Sequence, residues 1–350
     1  MKKYSSILSH FATEGSIAEV KPLGNGLIND TFLVVTEGEN PDYVLQRINN
    51  AIFQDVEGMQ RNIEAVTGHL RMKLAAKGVG DIDRRVLRFV PDKTTGKTFY
   101  FDGNDYWRVS VFIPRTVTVQ EVNADTARSA GRAFGDFEAM LADLQAPMIE
   151  TIPDFHNMEL RLRQLRDAVA ADPVGRLAAV SDLVEAIEER ADEMTAAERL
   201  GREGKLQKRL CHCDTKVNNM LLDAATGEVL CVIDLDTVMP SFVFSDYGDF
   251  LRTGACTTAE DEPDTSKIDF DMDIYNAFTE GYLSAATFLT PQERRMLPYA
   301  VRLFPYMQAV RFLADYINGD TYYKTAYPDH NLVRTRAQLA LLAAIDRRLG

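Results

Sequence analysis

The run Cys211-His212-Cys213-Asp214-Thr215-Lys216-Val217-Asn218-Asn219, followed past a short turn by Val232-Ile233-Asp234-Leu235-Asp236, says more about the fold than any other part of the chain. A polar loop carrying His212, Asp214 and Asn219 sits between two apolar, strand-like runs, the second of which ends in Asp234. That spacing is a phosphoryl-transfer pattern. The Asp of His-x-Asp takes or orients the proton of the acceptor hydroxyl, and the later Asn and Asp bring oxygens to a Mg²⁺ ion that bridges the phosphates of ATP. Mg²⁺ prefers oxygen ligands and keeps several waters, so one amide and one carboxylate suffice. Asp214 is therefore the candidate base, and Asn219 and Asp234 the candidate metal ligands. Asp236, expected on the same face of the strand as Asp234, is assigned to metal-site support or substrate contact. His212 is read as a loop support rather than a base, and Asp246-Tyr247-Gly248-Asp249 as a brace or helix cap behind the loop.

Upstream of this stretch, the first third of the chain reads as β-rich. Val20–Leu23 leads into Gly24-Asn25-Gly26, then Asn29–Thr36, a turn cluster at 37–42 and Tyr43–Ile48. Strand, Gly-x-Gly loop, strand, turn, strand is how a phosphate-covering hairpin is built. Gly24, Asn25, Gly26 and Thr31 are thus candidate ATP contacts. Val56, Met59, Ile63, Val66 and Leu70 share one face of an expected helix over 54–76. Three further strands are expected at 86–90, 97–102 and 106–113, the last running into a hinge at Phe112-Ile113-Pro114 whose backbone could pair with adenine. Beyond it the pattern turns helical, at 125–144, 158–171, 181–200, 247–254, 271–283, 291–316 and 332–349. An α+β chain of two lobes is expected, a small β-rich lobe over 1–114 and a larger, mainly helical one over 115–350.

With 350 residues, 46% of them hydrophobic, the chain has material for more than one core. A formal net charge of −13 argues against non-specific binding to nucleic acid or to anionic membranes. The N-terminus lacks the apolar stretch of a signal peptide and no run reaches transmembrane length, so a cytoplasmic location is expected, with small-molecule partners and no obligatory protein partner. Cys211, Cys213, Cys231 and Cys256 are read as reduced thiols. A zinc site at Cys211-His212-Cys213 is disfavoured because successive strand residues face opposite ways and no second ligand pair follows.

These residues resemble the aminoglycoside phosphotransferase/choline kinase superfamily, whose two-lobed fold is similar to that of protein kinases. More closely, the chain resembles N-acetylhexosamine 1-kinases, nearly end to end. The matching blocks include Asn29-Asp30-Thr31-Phe32, Tyr43-Val44-Leu45-Gln46, Asp214 to Asn219, Val232 to Pro240, Arg311 to Tyr316 and Asp329 to Arg336. The resemblance implies ATP and Mg²⁺, with transfer of the γ-phosphoryl group to the anomeric hydroxyl of GlcNAc or GalNAc. It also implies Arg311 as a sugar contact, a shape that suits two oxygens at once, and places Asp236 and Thr237 at the substrate.

Three positions depart from the pattern. Gln46 stands where many related kinases carry a phosphate-pairing lysine, so that cation must come from elsewhere. Leu27 replaces a histidine expected to touch the sugar, and Thr253 replaces an aromatic residue near it. The loss of one hydrogen bond to a substrate hydroxyl can change discrimination by orders of magnitude. A second reading therefore keeps the fold and mechanism with another sugar, an amino alcohol or an aminoglycoside as acceptor. A third, a nucleotide-binding pseudokinase, rests on Gln46 alone.

Overall fold

The computed structural model describes residues 2–24, 28–119 and 121–350. Asn25, Gly26 and Leu27 lie outside the described residues. The chain forms two compact units, neither of them a single stretch of sequence. The first takes Met1–Thr118, Asp143–Pro153 and Asn219–Met239; the second takes Val119–Ala142, Asp154–Asn218 and Pro240–Gly350.

The first unit is built on an antiparallel sheet. Its strands are β1 (Ile17–Pro22), β2 (Asp30–Thr36), β3 (Tyr43–Ile48), β4 (Tyr100–Phe101) and β5 (Tyr106–Val111), in the order β1-β2-β3-β5-β4. The turn expected at 37–42 is present, and Asp42 closes it by accepting the Thr36 N–H at 2.8 Å. Alternation along the strands separates two faces. Leu45, Trp107 and Val109 join Leu8, Phe11, Val34 and Tyr43 in an apolar core. Gln46 and Arg108, in register across β3 and β5, belong to the opposite face.

The helix Val56–Ala76 starts where Asp55 accepts the Gly58 N–H, and it buries Val56, Met59, Ile63, Val66 and Leu70 as their spacing predicts. Its buried Asn62 binds two of the unit's other segments at once. The side chain donates to the carbonyls of Ile149 at 2.8 Å and Val238 at 3.0 Å, and accepts the Ile149 N–H at 3.1 Å.

Other expectations in this unit need correction. Residues 86–90 make only an isolated bridge, Phe89 to Ser110, and the strand expected over 97–102 shrinks to Tyr100–Phe101. Asp234 and Asp236 do not share a strand. Met220–Asp223 and Val229–Val232 form a hairpin that stops at Val232. Asp234 then takes a left-handed backbone, φ 60° and ψ 56°, and Leu235–Thr237 is a 3-10 turn. One residue in that conformation swings the chain off the sheet, so the two carboxylates face different surroundings.

In the second unit the helices Ala124–Leu141, Met158–Ala171, Phe244–Gly254, Met272–Ala285, Leu297–Ile317 and His330–Leu349 account for most of the fold. Two helices read as continuous are broken. Residues 181–200 split into Ser181–Glu188, Ala191–Met194 and Ala196–Arg202. At the breaks the carbonyls of Ile187 and Met194 accept the hydroxyls of Tyr306 and Tyr299, each at 2.7 Å. Residues 291–316 break at Met296, because Pro298 has no N–H to give the preceding turn. Ala124–Leu141 and Met272–Ala285 pack backbone to backbone through Gly131 and Gly281. A Cβ at Gly131 would strike the Phe278 carbonyl, and one at Gly281 the Arg128 carbonyl.

Among the described residues, no helix is long and apolar enough to cross a membrane.

Candidate active site

The loop after the short strand Arg209–Cys211 is held from behind. Asp246, in the first turn of Phe244–Gly254, accepts the backbone N–H groups of His212 and Cys213, each at 2.7 Å. Its own carbonyl accepts the Thr215 hydroxyl at 2.7 Å. His212 is fully buried, edge-on to Phe134 and Phe137, and its Nδ1 accepts the Asp214 N–H at 3.3 Å. It supports the loop, as read from the sequence. Cys213 has φ of 63°, a left-handed turn that brings the chain round to a half-buried Asp214. Burial pushes the Asp246 carboxyl up to about 6, against the pull of His212 and of the two N–H groups it accepts.

Lys216 is the residue this unit adds to the sequence reading. Its Nζ lies 2.6 Å from Asp214 Oδ1. Burial works to lower its pKa, but the charges of Asp214 and Asp249 prevail and raise it, so the ammonium is kept. The signal was present in the sequence, since Lys216 follows the base by two residues, yet only the fold shows it turning back. Asp249, buried, stands 3.5 Å from Arg252, whose other nitrogen reaches Glu260 at 2.6 Å. A hollow of about 260 Å³ opens beside Lys216, lined also by Val119, Val217, Phe250 and Thr253. Thr253, singled out from the sequence, is thus on a concave surface together with the partner of the candidate base.

Arg311 projects from Leu297–Ile317 with its guanidinium over the rings of Phe155, at 5.7 Å, and Tyr323, at 5.5 Å. Gln308 Oε1 accepts from its Nη1 at 3.1 Å. The neighbouring His156 is held well below the usual imidazole range by burial and by the charges of Arg311, Arg161 and Arg252. Arg161 itself falls to about 10, through burial and then Arg311. This corner is cationic and walled by aromatic rings.

The first unit carries the remaining candidates. Asn219 and Asp234 are tied through backbone, for the Asn219 carbonyl accepts the N–H of Ile233 at 2.9 Å. Asn219 is buried, while Asp234 is exposed. Both offer oxygens, which is the donor chemistry Mg²⁺ selects. Asp236 is 2% exposed. Its Oδ1 lies 2.5 Å from Arg108 Nη1, and its Oδ2 accepts from Asn29 Nδ2 at 2.7 Å. Thr237 is buried beside it in the same turn. Gln46 donates to the Thr31 hydroxyl at 3.2 Å and accepts from Arg108 Nε at 2.9 Å. Sequence reading passed over Arg108, because a single arginine in a strand gives no local cue to what lies across the sheet.

Gly24 has φ of 69°, which favours glycine there. At the expected hinge, the Phe112 N–H bonds to the Asp42 carbonyl at 2.9 Å, and the Ile113 carbonyl accepts the Thr116 hydroxyl at 2.9 Å.

Residues 19–288 match the family model APH, described as the phosphotransferase enzyme family. Solved structures share the fold at low sequence identity. One is an aminoglycoside phosphotransferase from Alicyclobacillus acidocaldarius, with TM-score 0.61 and 14% identity, covering 99% of this chain and 96% of that one. Another is a choline/ethanolamine kinase family protein from Mesorhizobium loti, with TM-score 0.56 and 18% identity over the whole of both chains. A spectinomycin phosphotransferase in complex with ADP and spectinomycin gives 0.57 and 14%, covering 98% of this chain and 96% of that one.

Proposed function

This chain belongs to the APH phosphotransferase enzyme family, and on that premise we propose that it is an ATP- and Mg²⁺-dependent sugar 1-kinase acting on N-acetylhexosamines. The observation that carries the reading is the Asp214–Lys216 pair on a loop anchored by Asp246, with Asn219 and Asp234 following in the chain.

In the proposed reaction the acceptor oxygen bonds to the γ-phosphorus as the bond to the β,γ-bridging oxygen breaks. ADP leaves and the acceptor proton passes to Asp214. Lys216 places a cation 2.6 Å from the base, where the transferring group carries negative charge. Asn219 and Asp234 would hold Mg²⁺, which neutralises phosphate charge when bound. The buried Asp246 fixes the loop through two N–H groups, so the base needs no reorganisation as the proton moves.

The choice of acceptor rests on the cationic corner. Proteins named for aminoglycosides, choline or ethanolamine are named for acceptors that carry positive charge, which Arg311, Arg161 and Arg252 would repel. A neutral sugar fits better. Its ring can lie on Phe155 or Tyr323, and an acetamido carbonyl can accept from the Arg311 fork. Thr253 on the hollow wall keeps open a second reading, the same chemistry on a different sugar.

A coupled ADP-release assay with Mg-ATP and a panel of GlcNAc, GalNAc, glucose, galactose, mannose, choline and kanamycin tests both, with the product read by phosphorus NMR. A hexosamine 1-phosphate supports the proposal. Turnover of choline or kanamycin alone overturns the acceptor and leaves the phosphotransferase.

A further inference from the structure

Arg108 stands at the centre of the first unit's polar network, and the reaction as proposed above makes no use of it. It faces Gln46 across the sheet, beside the strand position where many related kinases carry a lysine. Its guanidinium reaches three elements: Gln46 on β3 at 2.9 Å, Gln60 on the helix Val56–Ala76 at 3.2 Å, and Asp236 in the turn after Asp234 at 2.5 Å. Asn29, just before β2, holds the other Asp236 oxygen and accepts the Asn49 N–H at 2.9 Å. Arg108 and Asp236 side chains are each 3% exposed.

Apolar residues of similar volume commonly match or exceed a buried ion pair in stability, so packing alone does not explain a charge kept here. Neither does direct contact with phosphates, since the side chain is 3% exposed and its Nε and Nη1 already face Gln46, Gln60 and Asp236. What the pair does hold is the turn Leu235–Thr237. The residue before that turn, Asp234, has the left-handed backbone that a non-glycine residue keeps only when its surroundings impose it.

We propose that Arg108 is a positioning residue for metal binding: by gripping Asp236 it fixes the turn that presents the Asp234 carboxylate to a nucleotide-bound divalent cation. In the chains with a strand lysine, that lysine's charge is spent on phosphate; here the cation one strand over is spent on the metal-binding loop. The inference rests on the assignment of Asp234 in the proposed function. Groups that support metal ligands from behind commonly change metal affinity by about 10- to 100-fold when removed.

The test is calorimetric titration of ADP with and without Mg²⁺, with Mn²⁺ binding read by electron paramagnetic resonance and folding by thermal denaturation. It compares the unaltered chain, Arg108→Lys, and the double variant Arg108→Met with Asp236→Asn, from which both buried charges are gone. The double variant is expected to melt close to the unaltered chain and bind ADP alone within about twofold, yet lose about 10-fold or more of the gain that Mg²⁺ brings. Arg108→Lys keeps the charge but not the three-way fork, and is expected to lose part of that gain. It carries the test by itself if the double variant does not fold. An undiminished Mg²⁺-dependent gain in the variants overturns the proposal, as does an equal loss of ADP affinity with and without metal. Failure of the unaltered chain to bind ADP in a metal-dependent way overturns the proposed function and this inference together.

Discussion

Lys216 Nζ and Asp214 Oδ1 are 2.6 Å apart, two residues from each other on a loop whose backbone is pinned by a buried carboxylate. The contact gives the candidate base a fixed counter-charge and a fixed direction. Replacing Asp214 by Asn is expected to lower kcat by about 10²- to 10⁴-fold, the range for loss of a general base, with ADP binding unchanged by titration. Full turnover in that variant would remove Asp214 from its role.

Lys216→Met leaves Asp214 without its cation and takes charge away from the transferring group. We expect kcat to fall by more than KM for ATP rises, since the ammonium matters most as charge develops. Steady-state kinetics in both substrates reads the split; a change in KM alone would make Lys216 a binding group only.

Asp246 sets a pH dependence of stability. Its carboxyl is raised from 3.8 to about 6, chiefly by burial, with Glu138, Cys211, Cys213, His212 and Asp249 around it. A group raised on folding binds its proton more tightly in the folded chain. Its contribution is therefore fully present below about pH 4 and is lost as pH rises through about 6, on the order of 3 kcal/mol at about 1.4 kcal/mol per unit. Glu138, raised by burial and then by Asp246, acts in the same direction. Urea melts of Asp246→Asn from pH 4 to 7 should show a flatter dependence than the unaltered chain. An unchanged slope would mean that Asp246 is not the group responsible.

The glycine contact makes a sharper stability prediction. Gly281→Ala forces a Cβ onto the Arg128 carbonyl, and overpacking of this kind typically costs about 1–3 kcal/mol. Gly175→Ala is a poor control because φ there is +71°. Gly68→Ala, on the helix Val56–Ala76 with open space around it, should be neutral or stabilising. Equal midpoints for the Gly68 and Gly281 variants would contradict the close helix packing.

Thiol labelling checks the core. Cys211, Cys213 and Cys231 are buried, with Cys231 pushed up to about 12 by burial, whereas Cys256 is only half-buried. Ellman's reagent at about pH 8 should label Cys256 well before the other three, and all four together once the chain is denatured. Rapid labelling of Cys211 or Cys213 in the folded chain would show that the loop carrying Asp214 is open.

Much of this was legible in the sequence because the information was local. Val56 to Leu70 repeat at helical spacing, and the helix is there. His212 reads as a support in the motif, and it is buried against two phenylalanines. The misreadings arose where distant residues decide. A tyrosine hydroxyl more than a hundred residues away takes the Ile187 carbonyl in the last turn of the helix that ends at Glu188. Asp234 leaves the strand although its neighbours are apolar and β-prone. Arg108 could not be singled out, since its partners Gln46, Gln60 and Asp236 are spread over most of the chain. Pro298, by contrast, was a visible helix break that an unbroken reading of 291–316 ran past.

The interleaving of segments in the first unit also bears on how the protein is made. Asn62 needs the carbonyls of Ile149 and Val238, and the hairpin that carries Asp223 and Cys231 joins only with residues 219–239. A nascent chain emerging from the ribosome therefore holds the sheet strands β1 to β5 for more than a hundred residues of synthesis before their unit is complete. Most of the helices before Pro240 in the second unit have emerged by then. The first unit has all its segments once Met239 is made, whereas the second still awaits Pro240–Gly350, and a truncation before Val238 leaves the buried Asn62 amide short of an acceptor.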